Sequence, residues 1–338
     1  MKHILVTGGT GYIWSHWVVA LIESGYHPVI VDNLSNSSLD VLENIKKITG
    51  IKPDFYEIDL RDYESLESVF QKYDFEAVLH FAWAKAVGES SEKPFYYYEN
   101  NILGSINLFE LMEQYDCKKI IFSSSATVYD SIKSPPFVET DMTGNTTNPY
   151  GTTKFLIENI LKDLVNHKSF QVVNLRYFNP VGAHKSWLIG ENPNGIPNNL
   201  LPFIMKVVVW ELPTVQVFGD DYETKDGTGE RDYIHVLDLI DGHLKALNFI
   251  EKFQKNAWFF EIFNLGTGKA TSVKEMIQFT SEIIGREVPY NIKPRRTGDL
   301  PSSFCYPEKA EKILGWKAQL SIKEAIEDSV WFINRKEK

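Results

Sequence analysis

The first half of the chain alternates short apolar runs with stretches whose hydrophobic residues recur at helical spacing. The apolar runs are His3–Thr7, Pro28–Val31, Asp54–Ile58, Ala77–Phe81, Lys119–Ser123 and Gln171–Leu175. The helical stretches between them include Leu39–Ile48, Tyr63–Gln71, Asn101–Glu113 and Gly151–Val165. This alternation predicts an α/β fold, a Rossmann-like doubly wound parallel sheet with helices on both faces.

The pattern changes after about Phe178, where long loops rich in Gly, Pro and Asn appear at 184–199 and 219–230. Further helices are predicted at Leu200–Val209, Leu237–Ile250, Ser272–Ile284 and Ile322–Phe332. We therefore expect two domains. Residues 1–178 form the Rossmann domain, to which some later segments return, and residues 179–338 mainly form a smaller, interleaved α/β substrate lobe.

Composition narrows the function classes. The chain has 338 residues and a formal net charge of −10, which argues against binding to nucleic acid or to a membrane surface. Cys117 and Cys305 are its only cysteines, too few for a disulfide framework or a cysteine metal site, and no metal site is predicted. The N-terminus enters an apolar strand without a signal-peptide pattern, and no apolar run approaches a membrane span. We expect a cytoplasmic protein.

A glycine-rich turn follows the first predicted strand and opens the next helix, with the sequence Thr7-Gly8-Gly9-Thr10-Gly11-Tyr12-Ile13. Glycines permit a tight turn and close approach of the backbone to a pyrophosphate, and the helix N-terminus offers N–H groups. A merely flexible turn is the alternative, but the position after strand one favours a nucleotide. Asp32 ends the second strand, where a carboxylate can bond an adenosine ribose and repel a 2′-phosphate. The expected cofactor is therefore NAD rather than NADP.

Two further polar residues lie near strand ends. Asp59 follows the third strand and could hold the adenine edge or cap a helix, and the residues alone leave both alternatives open. Lys85 follows the fourth strand and could reach a phosphate or be a solvated surface lysine.

Tyr150 and Lys154 form a Tyr-x-x-x-Lys motif at helical spacing, so both side chains share one helix face. A nearby cation favours the phenolate, and we expect Lys154 to lower the pKa of Tyr150 toward working pH. Tyr150 is then a candidate base for a sugar or alcohol hydroxyl. Ser125 ends the fifth strand, where a hydroxyl can relay a proton between substrate and Tyr150, although serines there can also satisfy the backbone.

With these parts in place, the chain resembles the extended short-chain dehydrogenases/reductases, and more closely the UDP-glucose 4-epimerase family. The motifs that carry the resemblance are His80-Phe81-Ala82, Lys85–Ser90, Tyr97–Asn101, Ser123–Tyr129, Arg176–His184, Gly195–Leu200, Arg231–Val236 and Pro294–Asp299. They cover nearly the whole chain and together are highly specific.

The resemblance implies reversible interconversion of UDP-glucose and UDP-galactose by a homodimer with tightly bound NAD. Tyr150 removes the proton of the sugar 4-hydroxyl while hydride leaves C4, and a 4-keto sugar turns over before hydride returns. Ser125 bonds the 4-hydroxyl, and Lys154 holds the nicotinamide ribose.

The resemblance also assigns binding positions. The cofactor positions are Gly8, Gly11, Tyr12, Ile13, Asp32, Asn33, Asn36, Ser37, Asp59, Leu60, Phe81, Ala82, Lys85, Asn100, Tyr150, Lys154 and Phe178. The UDP-sugar positions are Ser125, Asn179, Asn199, Leu200, Arg231, Arg296 and Ser303. The guanidinium groups of Arg231 and Arg296 suit phosphate oxygens, and surface ion pairs are their alternative. Ser303 is small where some epimerases have a tyrosine, which implies room for a 2-acetamido group.

Tryptophan stands at several positions where the family has glycine, namely Trp14, Trp83, Trp187, Trp210 and Trp258. Trp14 takes the place of the third glycine of the phosphate loop, which serves close helix–strand packing. Because Trp and Gly codons differ at one base and some codes read UGA as glycine, we hypothesise that these tryptophans are glycines in the natural protein.

Two rival functions remain open. A nucleotide-sugar 4,6-dehydratase resembles this chain but carries an acidic pair after the strand-five hydroxyl, where Ala126 and Thr127 stand here. A catalytically impaired, NAD-sensing homologue is the rival from another class. Such proteins usually lose Tyr-x-x-x-Lys, which this chain keeps, whereas Trp14 and Trp83 favour it if they are real.

Overall fold

The computed structural model of the protein describes residues 1–193, 195–254, 257–296 and 298–335. The chain forms two compact units that alternate in sequence. The first unit comprises Met1–Asp130, Glu139–Arg176 and Gly242–Phe263. The second comprises Ser131–Val138, Tyr177–Asp241 and the residues from Asn264 onward.

Secondary structure alternates along the first half of the chain. The strands are β1 (His3–Thr7), β2 (His27–Asp32), β3 (Asp54–Glu57), β4 (Phe75–His80), β5 (Lys119–Ser125), β6 (Gln171–Tyr177), β7 (Asn179–Val181), β8 (Val215–Phe218), β9 (Glu230–His235), β10 (Phe259–Leu265), β11 (Ala270–Ser272), β12 (Tyr290–Lys293) and β13 (Ser302–Ser303). The α-helices are α1 (Tyr12–Glu23), α2 (Asp40–Thr49), α3 (Tyr63–Phe70), α4 (Val87–Glu92), α5 (Pro94–Tyr98), α6 (Gly104–Gln114), α7 (Pro149–Lys168), α8 (Leu200–Val208), α9 (Val236–Ile250), α10 (Val273–Ile284), α11 (Glu308–Leu314) and α12 (Ile322–Arg335). A π-helical turn, Glu99–Leu103, joins α5 to α6, and a 3₁₀ turn, Ala126–Val128, follows β5.

A seven-stranded sheet forms the centre of the first unit, in the order β10-β6-β5-β4-β1-β2-β3. β1 pairs in parallel with β2 on one side and β4 on the other, so the strand order reverses there. Thr7, at the carboxyl end of β1, lies in register with Val31 and His80. Ligands of doubly wound sheets bind outside the strand ends at such a reversal. The predicted α/β class is confirmed, and each apolar run in the first half coincides with a strand.

The second unit contains two smaller sheets. In one, β9 lies between β11 and β13 and also pairs with β7, and in the other β8 pairs in parallel with β12. Helix α10 begins at a capping box in which Ser272 and Glu275 exchange side chain–backbone hydrogen bonds, and it ends at Gly285 in the left-handed region.

Each unit has its own hydrophobic core. In the first, Leu5, Val29, Val78, Phe122 and Leu161 are fully buried representatives from the sheet and α7. In the second, Val217 of β8, Ile204 of α8, Met276 of α10 and Ile326 of α12 pack together. These cores hold the strand ends at which the candidate site residues stand.

Candidate active site

Helix α7 carries Tyr150 and Lys154, and its start is defined locally. The Asn148 side chain caps it by accepting a hydrogen bond from the Gly151 backbone N–H at 2.9 Å, and Pro149 occupies the first turn. A Cβ at Gly151 would lie 2.9 Å from the Thr127 carbonyl oxygen, so glycine lets α7 approach the 3₁₀ turn after β5. This approach brings Tyr150 within hydrogen-bonding reach of Ser125.

The environment of Tyr150 opposes its ionisation. Burial raises the pKa of its phenol to about 12, and the hydrogen bond with Ser125 acts in the opposite direction. The expectation that Lys154 lowers this pKa toward neutrality is therefore wrong for the chain described here. The Lys154 ammonium lies 5.8 Å from the Tyr150 ring centroid and donates instead to the Ser123 carbonyl oxygen at 2.5 Å.

Lys154 is completely buried. Burial holds the pKa of its ammonium well below the usual value, and the carboxylate of Glu158 partly offsets this effect. The ring of Trp83 covers the ammonium with its centroid 3.6 Å from Nζ. Lys154 therefore does not offset the burial that raises the pKa of Tyr150.

A buried ion pair lies one helical turn beyond Lys154, and the sequence analysis did not identify it. Glu158 accepts from Arg176 through both oxygens, with Nε–Oε1 at 3.0 Å and Nη2–Oε2 at 2.6 Å. The Ser124 hydroxyl also donates to Glu158. The signal that could have found Glu158 is its i+4 spacing from Lys154 on the same helix face. This pair ties α7 to β5 and β6 beside the catalytic residues.

The glycine-rich turn has the geometry of an anion cradle. Gly8 has φ of +75°, and a Cβ there would lie 2.9 Å from the Phe81 carbonyl oxygen. Gly11 is the N-cap of α1 and provides no side-chain cap for the first N–H groups of that helix. Uncapped N–H groups and the positive end of the helix dipole suit a pyrophosphate.

Asp32 is held rigidly at the end of β2. Its Oδ2 accepts from the Thr10 backbone N–H at 3.1 Å and hydroxyl at 2.6 Å, and its Oδ1 accepts from the Leu34 N–H at 2.9 Å. Ser37 joins the same cluster through the Thr10 hydroxyl at 2.6 Å. The structure thus brings Asp32 and Ser37 together beside the glycine turn.

Asp59 bonds to side chains rather than capping a helix. Hydrogen bonds from the Arg61 guanidinium hold the pKa of its carboxyl well below the usual range, and Asn33 Nδ2 donates to it at 2.9 Å. The N-cap alternative is wrong, because α3 is capped by Asp62. Asn33 and Asp59 therefore meet at the ends of β2 and β3.

The segment after β4 is fastened to α7 by Asn101, a fully buried residue that the sequence analysis quoted only within a motif. Its Oδ1 accepts from the Ala84 N–H at 3.0 Å, and its Nδ2 donates to the Ala84 carbonyl at 3.1 Å and the Thr153 hydroxyl at 3.0 Å. Asn100 donates to the same Oδ1 at 2.9 Å. The irregular π-turn that carries both residues is a common feature of functional sites.

The remaining predicted cofactor positions differ in exposure. Phe81 and Leu60 are buried, Phe178 is 7% exposed, and Tyr12, Ile13 and Ala82 are half-buried. Lys85 and Asn36 are exposed.

Two tryptophans lie against residues to which the resemblance assigns the dinucleotide. The Trp14 ring stacks on Phe81 at 3.6 Å and 10°, and its Cδ1 would lie 2.9 Å from a Cβ at Gly11. Trp83 is 9% exposed and covers Lys154, the residue to which the resemblance assigns the nicotinamide ribose. The glycine turn and Asp32 suit NAD. The indoles of Trp14 and Trp83, in contrast, occupy space beside Phe81 and Lys154, two residues that the resemblance assigns to the cofactor.

The predicted UDP-sugar residues of the second unit lie on β7, α8, β9 and β13 and in the loop after β12. Ser303 of β13 pairs in register with Arg231 of β9. Arg231 forms a salt bridge with Asp299 and donates to the Leu300 carbonyl at 2.9 Å. To bind a phosphate, the Arg231 guanidinium would therefore have to leave Asp299 or contact Asp299 and the phosphate at the same time.

The other predicted UDP-sugar residues of the second unit are half-buried or exposed. Arg296 is exposed, with its guanidinium 3.9 Å from the Phe218 ring centroid. Asn199 caps α8 by position and donates to Glu191 at 2.9 Å, followed by half-buried Leu200. Asn179 is half-buried in β7.

The described part of the chain contains no helix long and apolar enough to cross a membrane. Over the same residues, no group of three or more His, Cys, Asp or Glu side chains could hold a metal ion.

Known proteins resemble this chain over nearly its whole length. Residues 5–329 match the family model described as GDP-mannose 4,6 dehydratase. The UDP-glucose 4-epimerase of Bacillus subtilis (strain 168) is 51% identical over 327 residues, covering 96% of this chain and 95% of that protein. The crystal structure of UDP-glucose 4-epimerase from Bifidobacterium longum in complex with NAD+ and UDP has a TM-score of 0.95 and 47% identity over 99% of both chains. The UDP-Glc/GlcNAc 4-epimerase of Campylobacter jejuni has a TM-score of 0.84 and 32% identity, covering 99% of this chain and 100% of that chain.

A doubly wound sheet with a glycine-rich turn after β1, Ser125 at the end of β5, and Tyr150 and Lys154 on α7 has the architecture of an extended short-chain dehydrogenase/reductase. The extent and level of identity narrow this class further. The chain belongs to the UDP-glucose 4-epimerase family, and the cofactor used by this family is NAD.

Proposed function

We propose that this protein interconverts UDP-glucose and UDP-galactose by epimerisation at C4. The observation that carries the proposal is the meeting of Ser125 and Tyr150 at the end of β5, in a chain 51% identical to a UDP-glucose 4-epimerase. The dehydratase alternative is not favoured, because Ser125 is followed by Ala126 and by Thr127, whose hydroxyl donates to Ser125 at 3.0 Å. No carboxylate occupies either position.

The proton chemistry belongs to Tyr150. Its phenolate accepts the proton of the sugar 4-hydroxyl, and the resulting phenol later returns a proton to the same sugar oxygen, while Ser125 orients that hydroxyl. NAD, when bound, accepts and returns the C4 hydride. Gly8, Gly11 and the N-terminus of α1 are the groups that would hold its pyrophosphate, with Asp32 at the adenosine ribose. The proposed water-poor surroundings protect the keto sugar, in keeping with the complete burial of Lys154 and the partial burial of Tyr150.

The test uses protein purified from the cells that make it. We expect acid extraction to release NAD and UDP-galactose to be converted to UDP-glucose without added cofactor. Absence of nucleotide together with no turnover in added NAD would refute the proposal.

UDP-N-acetylhexosamines form a proposed second substrate class. Ser303 is half-buried on β13 and faces β9 in register with Arg231, so a small side chain stands beside a proposed diphosphate ligand. The similarity to a UDP-Glc/GlcNAc 4-epimerase supports this extension.

Ser303→Tyr is expected to reduce turnover of UDP-N-acetylgalactosamine relative to UDP-galactose, because the phenol fills the space for the 2-acetamido group. The measurement is the ratio of kcat/KM for the two substrates, with Ser303→Ala as the size-matched control. An unchanged ratio in the tyrosine variant, or no N-acetylhexosamine turnover in the parent, contradicts the assignment.

We also propose a cytoplasmic homodimer. Analytical ultracentrifugation of the purified protein measures the oligomeric state, and a monomer at assay concentration would contradict it.

A further inference from the structure

Trp187 and Trp210 adopt a backbone conformation suited to glycine. Their φ values are +55° and +65°, in the left-handed region where a bulky L-residue is a genuine outlier. Trp187 closes a turn by donating its N–H to the His184 carbonyl at 2.7 Å. A left-handed residue thus ends this turn.

Trp210 occupies the helix-ending position at which glycine is preferred. After α8, the Trp210 N–H donates to the Val207 carbonyl at 3.2 Å and the Glu211 N–H to the Lys206 carbonyl at 2.8 Å. These two bonds form a Schellman motif, with Trp210 as its left-handed residue. The indole is 71% exposed, so burial does not offset the strain of this conformation.

Trp14 and Trp83 conflict with the site for a different reason. Trp14 stands where a dinucleotide fold has the third glycine of its phosphate loop, the one that permits close helix–strand packing. Trp83 is buried, its Nε1 finds no hydrogen-bond partner among the described residues, and its ring covers the Lys154 ammonium. A buried indole N–H without a partner is unfavourable.

Trp316 and Trp331 have ordinary surroundings, whereas the fully buried Trp17, like Trp83, has an Nε1 without a hydrogen-bond partner among the described residues, so that feature alone does not mark a glycine position. Trp316 is 1% exposed and donates its Nε1–H to the Asp238 carbonyl at 2.9 Å. Trp331 lies on α12 with helical backbone. Trp258 is exposed and is not among the described residues with positive φ, so the structure does not extend the argument to it.

We propose that positions 14, 83, 187 and 210 are glycine in the natural protein, encoded by UGA read as glycine. UGA differs from the glycine codon GGA at one base, and the proposal requires UGG, which encodes tryptophan, at positions 316 and 331. With glycine at 14 and 83, the stacking on Phe81 and the cover over Lys154 disappear, and the NAD site rests on an ordinary glycine turn. The part of this inference that concerns NAD rests on the proposed function.

Peptide mass spectrometry of protein from the native host tests the proposal directly. We expect glycine at positions 14, 83, 187 and 210 and tryptophan at 316 and 331. Tryptophan at the first four positions, or UGG codons there in the gene, overturns it.

Recombinant variants test the physical basis. The double variant Trp14→Gly/Trp83→Gly is expected to retain NAD through gel filtration, measured by acid extraction, whereas the chain with tryptophan loses it. If the double variant and the tryptophan-containing chain retain NAD equally, whether both retain much or both retain little, the part of the proposal that concerns NAD is overturned. A double variant that retains NAD but does not epimerise UDP-galactose would overturn the proposed function and leave this inference standing.

Position 210 gives a readout that is independent of the cofactor. Trp210→Gly is expected to favour the folded state by roughly five- to thirty-fold over Trp210→Ala, because alanine keeps the left-handed strain. Trp331→Gly is the control and is expected to lower the thermal midpoint, because it places glycine inside α12. A Trp210→Gly variant no more stable than Trp210→Ala contradicts the strain argument.

Discussion

Tyr150→Phe is expected to lower kcat for UDP-galactose by about 10²- to 10⁴-fold, the usual contribution of a general base. The phenyl ring keeps the packing of a half-buried residue, and only the proton-accepting oxygen is lost. Affinity for UDP should therefore change little, because the proposed UDP ligands belong to the second unit. Steady-state kinetics measures kcat, and calorimetric titration measures the affinity for UDP. Both measurements use whichever protein retains NAD, the one with tryptophan or the one with glycine at positions 14 and 83.

The pH profile separates a chemical role of Tyr150 from a structural one. Burial raises the pKa of Tyr150 to about 12, so the phenolate fraction grows as pH rises toward that value. The kcat/KM of the parent, which reports ionisations in the free enzyme, should increase with pH on the alkaline side. Ser125→Ala should move this limb to higher pH, because it removes the hydrogen bond that favours the phenolate. Near-normal turnover of the phenylalanine variant would exclude Tyr150 from the mechanism.

Glu158→Leu is expected to lower the free energy of unfolding by about 3–5 kcal/mol, because it leaves a buried guanidinium unpaired. The side chains of Glu158 and Arg176 are only 6% and 3% exposed, and two hydrogen bonds of 3.0 Å and 2.6 Å join them. Such a loss is a large fraction of the roughly 5–15 kcal/mol that stabilises a typical domain. Urea denaturation followed by circular dichroism gives the difference.

The double variant Glu158→Leu/Arg176→Met is the matched control. Removing both charges avoids the unpaired guanidinium, so most of the lost stability should return. Glu308→Gln disrupts an exposed i,i+4 pair with Lys312 and should leave the urea midpoint almost unchanged. A double variant as unstable as Glu158→Leu alone would show that packing, not the unpaired charge, causes the loss.

Much of the first unit could be predicted from local pattern. The run His3–Thr7 is β1 itself, and the predicted stretch Gly151–Val165 lies within α7. The sequence also placed a glycine turn after β1 and a carboxylate at the end of β2, because strand ends are visible where an apolar run stops. The short strands β7, β11 and β13 escaped notice, since two or three residues give too little periodicity to detect.

Helical spacing put Tyr150 and Lys154 on one face, but it could not predict their electrostatics. The pKa of a buried group depends on the residues that surround it in three dimensions. Lys154 is directed to the Ser123 carbonyl and covered by Trp83, and both partners come from distant segments of the chain. For this reason the expected depression of the Tyr150 pKa was wrong, although the pairing on α7 was apparent.

The sequence by itself determined the α/β class, the family and the candidate chemistry, because periodicity, glycine placement and motif spacing are local properties of the chain. It also marked the tryptophans at 14, 83, 187 and 210 as unusual. Only the tertiary structure decided that Glu158 meets Arg176, that Asp59 pairs with Arg61 and Asn33, and that two of those tryptophans have positive φ. Contacts between distant segments and the backbone angles imposed by a turn arise when the chain packs, so no single stretch of residues specifies them.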